Sequence, residues 1–239
     1  MTPQFNEIWV YLSASPLLGL TVTLLAYQAA FWLYRRSGMN PLANPVLIAV
    51  VILVLLLTLT ATSYETYFAG AQFVHFLLGP ATVALAIPLY TQFRRVRSLL
   101  LPVAAGLLAG SLTAALSAIA IARLFGASLP TQLSLAPKSV TTPIAMGIAE
   151  RIGGIPSLTA VLVIVTGILG AVGARYIFDA MKLRDPAIRG FAIGVASHGI
   201  GTARAFQVSE QAGAFAALAM GLNGALTALL LPLLVGWMR

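Results

Sequence analysis

Long apolar runs, separated by short clusters of charged residues, occupy most of this 239-residue chain. Hydrophobic residues make up 59% of the sequence and charged residues only 8%, whereas soluble domains carry about a quarter charged residues. An apolar run of about 20 residues can cross a bilayer as a helix, and a backbone inside lipid must satisfy its own hydrogen bonds. We therefore predict an all-α, polytopic membrane protein.

The composition also excludes several classes of function. The chain has no cysteine and two histidines, so disulfides, thiol chemistry and a Cys/His metal cluster are excluded. Its net charge of +8 comes from basic residues scattered between apolar segments, which do not form the continuous basic face that nucleic acids require. It has no phosphate-binding Gly-Lys-Ser/Thr loop. No cofactor, metal site or nucleic-acid partner is predicted.

The apolar segments divide into uninterrupted and interrupted ones. The uninterrupted segments are 16–34, 45–62, 99–122, 155–178 and 213–237. Proline, glycine or polar residues interrupt the remaining ones, which are 64–93, 130–149 and 186–206. We expect a single domain over residues 1–239, in which the N-terminal helices at 16–62 precede a core at 64–239 with breaks at 79–80, 136–143 and 197–202.

Basic clusters orient these segments. They lie at 35–36, 94–97 and 182–189, and loops rich in lysine and arginine are usually cytoplasmic. All of them lie inside if the N-terminus is external and segment 130–149 is a re-entrant hairpin. We favour that arrangement, which has about seven spans and a cytoplasmic C-terminus. The alternative has about eight spans and a basic external loop.

Two of the interrupted segments, 64–93 and 186–206, run in opposite directions in this arrangement. Each is followed by an uninterrupted helix. Broken helices at matching positions of two inverted halves are typical of transporters that bind their substrate near the bilayer midplane. The pattern therefore suggests inverted repeats and a transport function.

The break at 136–143 reads Ala-Pro-Lys-Ser-Val-Thr-Thr-Pro. A residue that precedes proline avoids the α conformation, so we expect Ala136 and Thr142 to be extended. Thr142 then suits the cap of a helix that begins at Pro143. Such a helix directs its free N–H groups and its positive dipole end towards the polar residues of the break.

Those polar residues form the first candidate site. An ammonium group and several hydroxyls next to a helix N-terminus are suited to binding an anion such as a carboxylate. The alternative is a proline-kinked helix whose lysine extends to the membrane interface. The assigned residues are Lys138, Ser139, Thr141 and Thr142.

The break at 197–202 forms the second candidate site. Paired glycines unwind a helix easily, and a threonine after them can cap the restart. An arginine in the first turn of the new helix opposes the helix dipole unless an anion compensates it. The histidine titrates near neutrality and is a candidate proton carrier; the alternative is a buried, hydrogen-bonded histidine. The assigned residues are His198, Gly199, Gly201, Thr202 and Arg204.

Two weaker signals remain. Glu150 is a second candidate for ion coupling, although its position at a segment end also suits a water interface. Asn223, between two glycines of the last segment, is a candidate interhelical hydrogen bonder. No arrangement of side chains indicates a catalytic set, so the protein is not predicted to be an enzyme.

Three stretches, 78–90, 136–145 and 197–205, resemble the signatures of the LrgB/CidB family. The resemblance runs from about residue 8 to residue 237. It implies a bacterial inner-membrane protein, usually encoded beside a smaller LrgA/CidA partner. The family was first described as holin/antiholin-like in the control of autolysis. Related plastid proteins are glycolate/glycerate transporters, and bacterial members are linked to pyruvate.

The resemblance and the candidate sites together predict a transporter of small monocarboxylates such as pyruvate, glycolate or glycerate. We expect it to be secondary and ion-coupled, and to form a homo-oligomer in the bilayer. The alternative is an antiholin-like regulator of murein hydrolase activity that acts with an LrgA-like membrane partner.

Overall fold

The computed structural model describes residues 16–40, 43–77, 80, 83–84 and 86–238. Over these residues the secondary structure is helical and includes no strand, which confirms the all-α fold. The contacts between residues group the chain into two compact units, 1–84 and 85–239.

The first unit contains α1 (Pro16–Arg36), α2 (Pro45–Leu59) and α3 (Tyr64–Phe76). Small residues on the facing sides of α1 and α2 form its core. The Asn44 side chain accepts hydrogen bonds from two backbone N–H groups of the first turn of α2 and so fixes where that helix begins. A hydrogen bond of 2.7 Å between the hydroxyls of Thr23 and Tyr67 joins α1 to α3.

The second unit holds the remaining described helices. They are α4 (Ala86–Thr91), α5 (Phe93–Ser98), α6 (Leu100–Leu124), α7 (Leu129–Leu135), α8 (Thr142–Ile152), α9 (Pro156–Ala180), α10 (Pro186–Val208) and α11 (Glu210–Met238). Within the described ranges, α1, α6, α9 and α11 are long and apolar enough to cross a membrane, and α2 is shorter. These helices confirm a polytopic helical membrane protein.

The directions of the three long helices in this unit follow from their contacts. Leu107 packs in one cluster with Ala219, and Ala115 packs in another with Leu231, so α6 and α11 run in the same direction. Phe178, near the end of α9, packs beside Ala212, near the start of α11. Therefore α9 runs in the opposite direction. We call the end where α6 and α11 begin and α9 ends the basic end.

Helices α7 and α8, with the turn between them, form a re-entrant hairpin that we call hairpin A (residues 129–152). The Ser134 hydroxyl accepts from the backbone N–H of Ile155 at 2.7 Å, and its carbonyl accepts from the Thr159 hydroxyl at 3.0 Å. Ser134 belongs to α7, so this first arm of hairpin A lies beside the start of α9. Hairpin A thus enters and leaves at the end opposite to the basic end, as the favoured topology predicted.

Helix α10 is a second re-entrant hairpin, hairpin B (residues 186–208). Its backbone leaves the helical region at Ser197 and His198. A Cβ placed on Gly201 would lie 2.9 Å from the carbonyl oxygen of Ile193, although eight residues of straight helix rise about 12 Å. The chain therefore folds back on itself at the break. The prediction that 186–206 crosses the membrane is wrong, because both arms pack against the first half of α11.

This reversal changes the predicted topology. Because hairpin B returns to the basic end, α11 starts there and runs to the opposite end, where Met238 lies. The prediction that the C-terminus shares a side with the basic clusters of this unit is therefore wrong.

Two hairpin-and-helix pairs result, hairpin A with α9 and hairpin B with α11. The hairpins enter from opposite ends and the helices run in opposite directions, so the two pairs form an inverted repeat. The sequence had instead paired 186–206 with 64–93. The break at 79–80 in that earlier segment includes Gly79, which lies outside the described residues.

Candidate functional site

The tips of both hairpins lie near the middle of the long helices. In hairpin A, the ammonium group of Lys138 donates to the carbonyl oxygen of Ala114, midway along α6, at 2.9 Å. In hairpin B, Nε2 of His198 lies 2.9 Å from the carbonyl oxygen of Val163 in α9. Polar groups from opposite ends of the core therefore meet at mid-depth.

Asn223 of α11 joins the two tips directly. Its Nδ2 donates to the carbonyl oxygens of Ser139 in hairpin A, at 3.3 Å, and of Val195 in hairpin B, at 3.0 Å. Its Oδ1 accepts from the hydroxyls of Ser111 and Thr227. The side chain uses both hydrogens and both lone pairs of its amide, and Asn223 is only 1% exposed.

The contacts of Asn223 also fix the orientation of its amide group. Backbone carbonyls only accept hydrogen bonds, so the NH₂ group has to face the two hairpins. The carbonyls of Ser139 and Val195 share one donor nitrogen and so lie close together. Asn223 thus holds the two tips side by side.

The turn of hairpin A at residues 136–141, which we call tip A, differs in detail from the prediction. Ala136 is helical rather than extended, because α7 continues through it into a turn. The cap of α8 is Thr141, with φ −62° and ψ 148°, and Thr142 is already the first helical residue. The Thr141 side chain makes no capping hydrogen bond, so the first turn of α8 presents its N–H groups near the other polar groups of the tip.

Lys138 lies inside the protein and not at the membrane interface. It is partly buried, and its ammonium group bonds a backbone carbonyl at mid-depth of α6. Among the described residues, no carboxylate forms a salt bridge with it. An ionisable group at this depth usually faces a cavity or a pathway. The geometry therefore favours the site interpretation of Lys138 over extension to the interface.

The turn of hairpin B at residues 197–198, which we call tip B, reverses the chain at His198, which has φ 41° and ψ −134°. An L residue rarely adopts this conformation, which costs about 1–3 kcal/mol and persists only where the surroundings impose it. Two glycines of α9 provide those surroundings. A Cβ on Gly167 would lie 2.7 Å from the imidazole Cε1 of His198, and one on Gly170 would collide with Oγ of Ser197. The tip therefore fits only against a glycine surface.

The hydrogen bonds of tip B give its side chains defined roles. His198 is 4% exposed, and a carbonyl partner requires its Nε2 to carry the hydrogen. The Thr202 hydroxyl donates back to the carbonyl of His198 at 2.8 Å. The predicted cap at Thr202 is therefore wrong, because the second arm already begins at Gly199. Gly201 lies where the two arms approach each other closely and leave no room for a Cβ. Gly199 has more space around it.

Two predicted residues lie away from the tips. Arg204 is beyond the first turn of the second arm, so the predicted conflict with the helix dipole does not arise; its side chain lines a cavity nearer the basic end. Glu150 is exposed near the end of α8, a position that fits the water interface. The structure brings Lys138, Ser139 and His198 to mid-depth, together with Asn223, which the sequence had identified only as a helix-packing residue.

Comparison with known proteins places this arrangement in a family. The model of the LrgB-like family matches residues 23–237. The chain belongs to the LrgB-like family. The match includes both hairpins and Asn223, so the whole candidate site lies within the family domain.

Individual relatives match this chain over nearly their full length. The chain is 36% identical to YxaC of Bacillus subtilis over 216 residues, which are 90% of this chain and 94% of the relative. It is 35% identical to YwbG of the same species over 222 residues, or 93% and 98% of the two chains. It is 30% identical to the antiholin-like protein LrgB of Bacillus cereus over 220 residues, or 92% and 95%. No solved structure matches the chain.

Proposed function

We propose that this LrgB-like protein is a secondary transporter of small monocarboxylates such as pyruvate, glycolate or glycerate. The observation that carries the proposal is the meeting of two oppositely entering hairpins at Asn223. Non-helical backbone at membrane depth is tolerated where it is buried in protein or lines a water-filled cavity. Inverted repeats with broken helices at the midplane are the usual construction of a transport site.

The chemistry of tip A favours a carboxylate as substrate. Lys138 supplies a positive charge, α8 supplies the positive end of a helix dipole, and Ser139, Thr141 and Thr142 supply hydroxyls. A carboxylate that takes over the hydrogen bond of Lys138 replaces a neutral carbonyl with an anion, and such charge-assisted bonds are stronger. The hydroxyls suit a second polar group on a small hydroxy- or oxo-acid.

The two hairpins suit alternating access. Hairpin A separates the site from one end of the core and hairpin B separates it from the basic end. Movement of one hairpin away from Asn223 would open the site to one side only. His198 is the preferred candidate for a coupled proton, because it lies at the tip, whereas Glu150 lies at the surface.

Uptake into liposomes tests the proposal. Purified protein in liposomes is expected to take up labelled pyruvate or glycolate saturably. Loss of the Lys138 charge in Lys138→Met should weaken the apparent affinity about tenfold to a hundredfold, because a charge-assisted hydrogen bond contributes about 1.5–3 kcal/mol. Lys182→Met makes the same change at an exposed lysine and should leave affinity unchanged. Absence of saturable uptake of any small monocarboxylate would refute the proposal.

The basic end is proposed to face the cytoplasm of a bacterial inner membrane, because the clusters at 94–97 and 182–189 lie there. The chain has no cysteine, so single introduced cysteines report orientation cleanly. Lys182→Cys should react with an impermeant thiol reagent only after the membrane is opened, whereas Gly236→Cys should react in intact cells. The reverse pattern would invert the assignment.

A second candidate function is antiholin-like control of murein hydrolase activity with an LrgA-like partner. It is favoured by the name of the Bacillus cereus relatives, antiholin-like protein LrgB. Expression in a bacterial host, with and without an LrgA-like protein, separates the two functions. If Lys138→Met abolishes uptake but leaves the autolysis rate unchanged, regulation does not depend on transport.

A further inference from the structure

A cavity of about 300 Å³ lies between α9 and hairpin B, towards the basic end of the core. Four arginines from different parts of the chain line it: Arg175, Arg184, Arg189 and Arg204. Small and aromatic apolar side chains of α9, hairpin B and α11 form the rest of its wall. We call this space the arginine cavity.

The charge of Arg175, Arg184 and Arg189 is only partly compensated. Asp179 contacts both Arg175, at 3.7 Å, and Arg189, so one carboxylate serves two guanidinium groups. Asp185 is engaged with Arg95 at 2.7 Å, and Arg184 forms no salt bridge with a carboxylate in the described part of the chain. Like charges around a partly enclosed space repel one another, and a bound anion relieves that repulsion.

Arg204 lies on the same arm of hairpin B as the tip residue His198. It lies six residues after His198 on the second arm, which corresponds to about 9 Å of helix rise. It is partly buried, and its Nη1 donates to Gln207 at 3.2 Å. Because it belongs to a packed hairpin arm, Arg204 is not simply one more basic residue of a cytoplasmic loop.

We infer that the arginine cavity is a second binding site for a small organic carboxylate, from which the anion passes to the hairpin tips. The guanidinium groups match a carboxylate through paired N–H donors, and the apolar wall accommodates a short carbon chain. The identity of the ligand rests on the proposed transport function; the existence of an anion site in the cavity does not.

Binding stoichiometry tests the inference. Equilibrium binding of labelled pyruvate or glycolate to purified full-length protein in phosphatidylcholine nanodiscs should reveal two sites. Lys138→Met should weaken one site and Arg204→Gln the other, each about tenfold to a hundredfold, and the double variant should weaken both. Arg97→Gln removes the same charge from an exposed residue at the basic end, outside the cavity, and should leave both sites intact.

A conservative variant and a lipid comparison keep the test decisive. Arg204→Lys keeps the charge but loses the bidentate hydrogen-bond donor. Its affinity for the carboxylate should therefore fall between those of wild type and Arg204→Gln. A single site that Arg204→Gln leaves unchanged would overturn the inference while the proposed transport function stands. If binding depends on Arg204 but liposomes show no uptake, the inference stands and the proposed transport function fails. If phosphatidylglycerol, but no carboxylate, is retained through Arg204, the cavity is a lipid headgroup site and the inference fails.

Discussion

Hairpins A and B reverse the chain at the same depth by different means. Hairpin A turns over residues 136–141, a stretch of hydrogen-bonded turns next to proline. Hairpin B turns sharply at Ser197 and His198, the two residues with non-helical backbone angles between its helical arms. Turn A therefore follows from its own residues, whereas turn B depends on the glycine surface of α9.

The difference indicates which tip is easier to rearrange. Tip A carries an ammonium group, hydroxyls and a helix start, all of which can exchange partners with an anion. Tip B is held by close packing of backbone and imidazole against Gly167 and Gly170. We expect the side chains of tip A to make most of the contacts with the substrate. We expect tip B to close the site through its packing against α9. Asn223 couples the two, so changes at that residue should affect both.

Asn223→Leu is expected to have the largest effect. It leaves the carbonyls of Ser139 and Val195 and the hydroxyl of Ser111 without their buried partner, and each unsatisfied group costs about 1–3 kcal/mol. Uptake should be lost and the melting temperature in detergent should fall. Thr227→Val removes one hydroxyl from the same network and should cost much less. Equal losses in the two variants would show that Asn223 does not join the tips.

Gly170→Val should break hairpin B while tip A is left intact. A Cβ at this position collides with Oγ of Ser197, and overpacking of this kind typically costs about 1–3 kcal/mol. Uptake is expected to collapse, and limited proteolysis should cut the chain near residues 186–208. Gly173→Val is the matched control, because a Cβ there meets nothing within 4 Å. Similar proteolysis of both variants would contradict the close packing of hairpin B against α9.

Gly201→Ala and Gly199→Ala separate the two glycines of the break. A methyl group on Gly201 would lie 2.6 Å from Cβ of Ser197, whereas one on Gly199 would make an ordinary contact of 3.9 Å with Sδ of Met220. Gly201→Ala should therefore reduce maximal uptake several-fold more than Gly199→Ala does. If Gly199→Ala is the more damaging change, the second arm does not approach the first as closely as described.

His198→Gln is expected to give the smallest effect, on pH dependence and not on folding. Glutamine can keep a donor to the carbonyl of Val163 but does not titrate. If His198 carries a coupled proton, uptake by the variant should lose its pH dependence between about pH 5 and 8, where an unperturbed histidine changes charge. An active variant with the wild-type pH profile would leave His198 with a hydrogen-bonding role only.

Hairpin A shows how far local sequence can predict such a structure. A polar, proline-bounded break in an apolar segment, followed by a basic loop that has to stay inside, was sufficient to predict the re-entrant fold and to place Lys138 near its tip. The exact cap was displaced by one residue, from Thr142 to Thr141. Ala136 stayed helical because packing around it outweighs the local preference before proline.

Hairpin B shows where the same reasoning fails. Segment 186–206 has the length of a span, and its paired glycines suggest unwinding in place. The reversal occurs instead at His198, a residue with a high local cost for that conformation. The two glycines that make it possible are about thirty residues earlier in the chain, so no local pattern around His198 could reveal it.

The sequence by itself determined the class of the molecule, since apolar length and sparse charge permit only membrane helices, and it located both polar breaks. Only the tertiary structure decided that the second break is also a hairpin tip, that the two hairpins enter from opposite ends and that Asn223 joins them. It also decided that Arg204 faces a separate cavity. The physical reason is that propensity and hydropathy act over a few residues, whereas the direction of a re-entrant arm depends on close packing and hydrogen bonds between segments far apart in the chain.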